Sequence, residues 1–303
     1  MAIVLLVSFG SALAPGKEIS APKVALVVSQ NIRPYVDAVE GLSAVLSGRL
    51  DALIEVFFLE KFRGKGRGDL SERLVSEKFD LFVAIGPASM EFVWSELESK
   101  EALKLYSMVL HPEARERVPR AACGISLNIP IRIQVERISS AFPFMGRVGV
   151  LHDSVHNADF VRKAAAHGLS YGLEIVPLRV SSRKDIPIVL GRHLKDLDAL
   201  WLIPDHTVIT ESLVRHIIKE AISGGVAVIG YNRFFYESGA ALAFVFDYRE
   251  IGEQTARLAI GMLSGEKCKK EDVTFHTWLN LKVTERLGFE DLKDGLKDIE
   301  VRP

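Results

Sequence analysis

The sequence contains little that points to metal, redox or nucleic-acid chemistry. It has only two cysteines, Cys123 and Cys268, and nothing in it has a Cys/His spacing typical of a metal site. We expect two small buried apolar residues, because a disulfide cannot be predicted from sequence alone. Lys and Arg number 38 against 39 Asp and Glu, and this balance gives no electrostatic support for binding nucleic acid or an anionic membrane.

Sequence motifs of catalysis are also missing. No GxxxxGK[ST] loop and no GxSxG turn is present. The basic segment RGKGRG (63–68) departs from the phosphate-loop pattern and indicates a solvated turn before a short helix, with Asp69 as its N-cap. His206 beside Asp205 could serve as a general base, but no nucleophile accompanies it. The sequence therefore predicts no enzyme, metal or cofactor, and a hydrolase or racemase stays an alternative.

One apolar run, Met1–Ala14, opens the chain and is followed by polar residues up to Lys23. It is too short to span a bilayer and has the length of a signal-peptide core ending in small residues. No basic residue precedes it, and no cysteine follows for lipid attachment. We predict an incomplete signal peptide and linker over residues 1–22 and a periplasmic or otherwise extracytoplasmic protein. A buried first strand is the alternative.

From Lys23 onward, short apolar strands alternate with amphipathic helices. Such a pattern is typical of parallel sheets covered on both faces. Helices are expected over 35–46, 159–171 and 211–223, and Pro87 suits the first turn of another. The predicted strands are 23–29, 53–58, 79–86, 103–110, 121–127, 147–152, 173–180, 198–204, 226–230 and 241–246. A junction near Phe142–Gly146 divides them into two similar lobes.

Polar and small residues follow most of these strands. The ligand crevice of an open parallel sheet lies at the carboxyl ends of its strands, so these residues are candidates for binding. Each one alone is more simply explained as a helix N-cap, and their recurrence in both halves favours a site. The candidate ligand-binding residues are Asn31, Tyr35, Gly86, Pro87, Ala88, Ser89, Ser107, Ser126, His152, Asp153, Asp205, Thr207, Tyr231, Asn232, Arg233 and Asp247.

Several segments resemble the ABC-transporter substrate-binding family that includes tryptophan-binding proteins. The similarity is carried by DALWLIPDHTVIT (198–210), VAVIGYNRFFYESGA (226–240) and FVFDYREIGEQTARLAIGMLSGE (244–266). It extends to AIGPASMEF (84–92), CGISLNIP (123–130), RVGVLHDS (147–154) and LNLKVTERLGF (279–289).

The resemblance implies a type I periplasmic-binding-protein fold, with two Rossmann-like lobes joined by a hinge of three crossovers. Lobe 1 would comprise 23–142 plus 247–274, and lobe 2 would comprise 143–246 plus 275–303. The protein would be a monomer that clamps a small molecule and delivers it to the membrane permease of an ABC importer. A cytosolic sensor related to repressor effector domains is the alternative.

For a bound amino acid, the resemblance implies separate partners for its two charges. Ser89 and Ser126 match positions expected to hold the ligand carboxylate. Asp205 is the best candidate for the ammonium, assisted by Thr207, and its other role would be a cap. The chain departs from the family at Tyr231–Arg233, where relatives commonly carry an Asp. A carboxylate is lost there and a cation is gained, so an acidic or neutral ligand held by Arg233 is a further possibility.

Overall fold

The structure is a computed structural model, and it describes residues 21–97, 102–208, 210–289 and 296–303. The predicted leader Met1–Ala14 lies outside the described residues. Within the described ranges, no helix combines the length and the apolar character needed to cross a membrane.

The first sheet has five parallel strands in the order β2-β1-β3-β4-β5. Its strand β1, between β2 and β3, is built from Lys23–Val28, and the five residues after Lys23 are fully buried because helices cover both faces of the sheet. The other elements of this half are α1 (Arg33–Leu50), β2 (Leu53–Phe58), α2 (Lys65–Ser76), β3 (Leu81–Ile85), α3 (Pro87–Ser95), β4 (Leu103–Val109) and β5 (Gly124–Ser126).

The second sheet has seven strands in the order β12-β11-β10-β9-β8-β6-β7, and only the β10–β11 pair is antiparallel. Its elements are α4 (Ile131–Ala141), β6 (Arg147–Asp153), α5 (Ala158–Leu169), β7 (Glu174–Val180), α6 (Ile186–His193), β8 (Ala199–Leu202), α7 (Glu211–Ser223), β9 (Ala227–Gly230), α8 (Arg233–Glu237), β10 (Leu242–Val245), α9 (Tyr248–Leu263), β11 (His276–Asn280), α10 (Leu281–Arg286) and β12 (Glu300–Arg302).

The chain passes between the two sheets three times. It leaves the first sheet after β5, returns after β10 when α9 packs along α1 and against β4 and β5, and leaves again to form β11. Helix α4 lies before the predicted boundary at Phe142, yet it contacts α5 and β10 of the second half. This packing favours a first crossing ahead of Ile131, and the rest of the division into lobes stays a prediction.

The two cysteines form a disulfide, so the expectation of two unpaired buried cysteines is wrong. Cys123, just before β5, is bonded to Cys268, which follows α9, with their Cα atoms 6.1 Å apart. The two cysteines are 145 residues apart in sequence, and no local sequence pattern predicts such a pairing. It holds the last crossover beside β5, where Ile125 also bridges to Glu271.

Two local sequence predictions differ from the structure. Helix α2 begins at Lys65 and not at Asp69, because Gly64 adopts a positive φ of 57° that turns the chain earlier. Strands β11 and β12 were not predicted. Three of the five residues of β11 are polar and the polar segment 264–275 precedes it, while β12 has only three residues.

Helices α1 and α9 approach each other so closely that glycine is required at their contact. A Cβ at Gly41 would lie 2.2 Å from the carbonyl oxygen of Arg249, and one at Gly252 would lie 2.1 Å from the carbonyl oxygen of Ala38. Both obstacles are backbone atoms, which cannot move aside as a flexible side chain can. Since α9 starts at the second crossover, this contact also positions the hinge.

Replacing Gly41 by alanine is expected to lower the free energy of unfolding by about 2 to 3 kcal/mol, because the two helix backbones must separate. Gly48 in the same helix is the matched control, since a Cβ there meets nothing within 4 Å. Gly48→Ala should be neutral or stabilise by up to about 1 kcal/mol. Urea denaturation of both variants measures the difference, and equal effects would contradict the close helix contact.

Candidate functional site

Three half-buried tyrosines line the region where the carboxyl ends of the strands meet the crossovers. Tyr35 lies in the first turn of α1, Tyr231 follows β9, and Tyr248 is the first residue of α9. Burial raises the pKa of each phenol and so favours its neutral form, and Tyr248 lies within electrostatic range of both Tyr35 and Tyr231. The first half, the second half and the second crossover thus each contribute one neutral phenol.

Tyr35 lies directly against Gly86, at the end of β3. A Cβ at Gly86 would lie 2.7 Å from Cζ of Tyr35 and 2.7 Å from Oγ of Ser29, and the φ of this glycine is +91°. Both the backbone conformation and the close approach therefore require glycine. Pro87 begins α3 and is half-buried, and Ala88 is exposed beside it.

The serines near Tyr35 form hydrogen bonds with one another and with the backbone. Ser89 is fully buried, its N–H donates to Oγ of Ser29 at 2.9 Å, and its hydroxyl donates to the carbonyl of Gly86 at 2.9 Å. Ser107 at the end of β4 shares a hydrogen bond of 2.7 Å with Thr255 of α9. In this conformation these hydroxyls join the strand ends to one another and to α9.

Asp205 connects two loops of the second half. Its Oδ2 accepts hydrogen bonds from the N–H of Asp153 at 2.7 Å and from Nδ2 of Asn157 at 2.8 Å. Its Oδ1 accepts from the N–H groups of Thr207 at 2.9 Å and Val208 at 3.2 Å. The residue is only 4% exposed. A carboxylate has about four acceptor positions, so these four donors use its whole capacity.

Asp153, at the end of β6, also accepts hydrogen bonds from the loops that Asp205 connects. Its Oδ2 accepts from the hydroxyl of Thr207 and its Oδ1 from the N–H of Val155, both at 2.7 Å. These two hydrogen bonds hold the pKa of Asp153 below its ordinary value. The neighbouring His152 is buried, and its Nδ1 lies 3.0 Å from the carbonyl oxygen of Val150 in the same strand.

Two further candidates are helix caps. Oδ1 of Asn232 accepts from the N–H of Phe235 at the start of α8. Oδ1 of Asp247 accepts from the N–H groups of Arg249 and Glu250 at the start of α9, which fixes the first turn after the crossover. Asp247 is itself exposed.

Arg233 is exposed, and its guanidinium lies 5.1 Å from the ring centre of Trp278. Its charge lowers the pKa of Tyr248 against the effect of burial, which places Arg233 at the edge of the tyrosine cluster. A cavity of about 150 Å³ beside it is lined by Asp247, Glu250 and His276 among others.

The two remaining candidates, Asn31 and Ser126, lie just before α1 and near the first crossover. Asn31 is exposed ahead of α1. Ser126 ends β5, and its Oγ accepts from the N–H of Asn128 at 3.4 Å. Strand-end position alone therefore brings the candidates to one edge, but it does not show which side chains are already engaged.

Sequence reasoning missed Tyr248 and an ionic cluster at the hinge. His276 at the start of β11 lies 3.1 Å from Glu250 of α9 and 2.6 Å from Glu300 of β12. Burial disfavours the charged imidazole, but the hydrogen bonds with Glu300 and Glu250 outweigh it and raise the pKa of His276. The position of Tyr248, directly after a strand-end aspartate, was a signal that could have identified it.

Histidines and acidic residues do not form a metal centre in the part of the chain that the structure describes. There, no group of three or more His, Cys, Asp or Glu side chains has a geometry that could hold a metal ion.

Comparisons with known proteins agree with this architecture. A tyrosine-binding protein of Clostridioides difficile is 20% identical over 213 residues, which are 68% of this chain and 61% of the relative. The chain thus spans less than two thirds of that relative's length.

Two solved structures share the fold. A ligand-free, open substrate-binding protein with adhesive properties from Clostridium difficile has a TM-score of 0.77 at 18% identity, covering 93% of this chain and 99% of the other. A domain from Streptococcus pneumonia in complex with L-Trp has a TM-score of 0.60 at 20% identity, covering 89% and 95%. At these identities the likeness shows the fold alone.

Two mostly parallel sheets, joined by three crossings and meeting at their strand ends, define a two-lobed protein of the type I periplasmic-binding-protein class, as predicted. Residues 69–290 match the family described as ABC transporter substrate binding protein. The chain belongs to this family, and the resemblance stated from sequence is confirmed.

Proposed function

We propose that the protein is the extracytoplasmic substrate-binding component of an ABC importer. It binds a small aromatic or amino-acid-like molecule between its lobes, acts as a monomer without catalysing a reaction, and passes its ligand to a membrane permease. The observation that carries the proposal is that three half-buried tyrosines, Tyr35, Tyr231 and Tyr248, come from the two halves and the crossover to the carboxyl ends of the strands. A ligand touching all three would favour the closed arrangement over the open one.

The disulfide supports an extracytoplasmic location. Disulfides persist in oxidising compartments and are rare in the cytosol, where thiols are kept reduced. The Cys123–Cys268 bond therefore fits export better than the alternative of a cytosolic sensor. The tyrosine-binding relative and the L-Trp complex support an aromatic ligand for this chain, and the three phenols offer faces and hydroxyls for one.

A thermal-shift screen over amino acids, aromatic acids, small carboxylates and nucleosides tests this function. A ligand at 100 times its Kd stabilises the folded state by about 2.7 kcal/mol, which raises the Tm by several degrees. Tyr231→Ala should abolish the shift. Tyr171→Ala is the control, because Tyr171 lies away from the strand ends and reaches Glu136. Absence of any shift across the whole screen would contradict the proposed function.

A further inference from the structure

An α-amino acid brings an ammonium and a carboxylate, and each must be matched when the cleft closes and removes water. A desolvated ammonium needs a carboxylate with free acceptor capacity. The acidic residues around the three tyrosines can therefore be judged by what their oxygens already bind.

The two buried carboxylates of the second half already accept hydrogen bonds from the protein. Asp205 accepts four, which use its whole capacity, and each oxygen of Asp153 accepts one, from Thr207 and from Val155. An ammonium could bind Asp205 only by displacing one of its four donors, three of which are backbone N–H groups. The neighbouring Asn232 carries no charge and caps α8.

Three further carboxylates near the cluster already have partners. Asp37 of α1 forms an ion pair of 2.8 Å with Arg33 one turn earlier. Glu250 lies 3.1 Å from Nε2 of His276. Asp247 caps α9 through Oδ1, which accepts from two backbone N–H groups. No buried carboxylate in the described strand-end loops keeps both oxygens open toward the tyrosines.

A cation, by contrast, is available. Among the described residues no carboxylate forms an ion pair with Arg233, whose guanidinium rests on Trp278 and acts on Tyr248. Guanidinium groups bind carboxylates through two parallel hydrogen bonds, which makes Arg233 the natural partner of an acid.

We propose that the cleft selects an aromatic carboxylate without an α-ammonium group, with the ring between Tyr35, Tyr231 and Tyr248 and the acid at Arg233. This inference rests on the proposed function, and it departs from what the amino-acid-binding relatives suggest. It is carried by the fully used acceptor capacity of Asp205, by the hydrogen bond on each oxygen of Asp153, and by Arg233, which has no ion-pair partner among the described residues.

Matched ligand pairs test the inference by isothermal titration calorimetry. Each pair differs only in the amino group: L-phenylalanine and 3-phenylpropanoate, L-tyrosine and 3-(4-hydroxyphenyl)propanoate, L-tryptophan and indole-3-propanoate. In at least one pair the acid without the amino group is expected to bind about ten times more tightly or better, since a buried charge without a partner costs this much.

The role of Arg233 is tested on the same acids. Arg233→Met should weaken their binding about tenfold or more and leave the matching alcohol, such as 3-phenylpropan-1-ol, unchanged. Arg215→Met is the matched control, because Arg215 is also exposed and also stacks on an aromatic ring, that of Phe234, in the neighbouring helix. An unchanged affinity of Arg233→Met for the acids would overturn the assignment of Arg233.

The outcomes separate this inference from the proposed function. Tighter binding of the amino acid in every pair would overturn the inference and leave the transport function standing. Binding of some other screened compound, with neither member of any pair bound, would do the same. Only the failure of every screened compound to bind would overturn the proposed function, and the inference with it.

Discussion

Asp205→Ala is expected to lower the free energy of unfolding by about 4 kcal/mol, because four donors lose one acceptor. The N–H groups of Asp153 and Val208 are among them, and both residues are buried, so water cannot readily replace the carboxylate. The β6–α5 and β8–α7 loops also lose their common anchor. Urea denaturation of the wild type and the variant measures the change.

The matched control for Asp205 is Asp198, an exposed aspartate whose Oδ2 accepts from the N–H groups of Gly146 and Arg147, both at 2.8 Å. Since water can reach those donors, Asp198→Ala should cost only about 1 kcal/mol. One result would instead support the role predicted for Asp205 from the sequence, that of a partner for a ligand ammonium. If Asp205→Ala left stability unchanged but abolished binding of an amino acid, the residue would be the ammonium partner and not a structural link.

The ten strands read from apolar runs are all present, and most of them lie inside a sheet, where burial on both faces requires apolar residues. The same reasoning misses β11, three of whose five residues are polar, and the three-residue edge strand β12. Helix periodicity located α7 at Glu211–Ser223 without error. The fold could thus be predicted where burial imposes an apolar pattern on the sequence, and not at β11 and β12.

For the candidate site, the sequence predicted only which loops converge. Strand-end position identified Tyr231 and Asp205, and the start of the first helix identified Tyr35, but the sequence does not show that Asp205 is surrounded by four donors. Those donors come from a loop about 50 residues away as well as from its own turn. Whether a polar side chain is free for a ligand depends on such long-range contacts, which leave no local pattern.

Replacing both cysteines by serine is expected to lower the free energy of unfolding by about 4 kcal/mol, because a bond closing a loop of well over 100 residues strongly restricts the unfolded chain. Cys123 and Cys268 are separated by 145 residues, so nearly half of the chain is enclosed. The urea midpoint of Cys123→Ser/Cys268→Ser is expected to be lower than that of the wild type. The wild type in dithiothreitol should show the same lower midpoint.

Dithiothreitol added to the double variant is the control, since it should change nothing once the bond is gone. The comparison also bears on location. A protein that loses about 4 kcal/mol on reduction, out of a total stability of about 5 to 15 kcal/mol, is poorly suited to a reducing cytosol. Equal stability of the wild type with and without reductant would show that the disulfide beside β5 does not stabilise the fold. It would also remove the support that this bond gives to export, and the cytosolic sensor would remain an alternative.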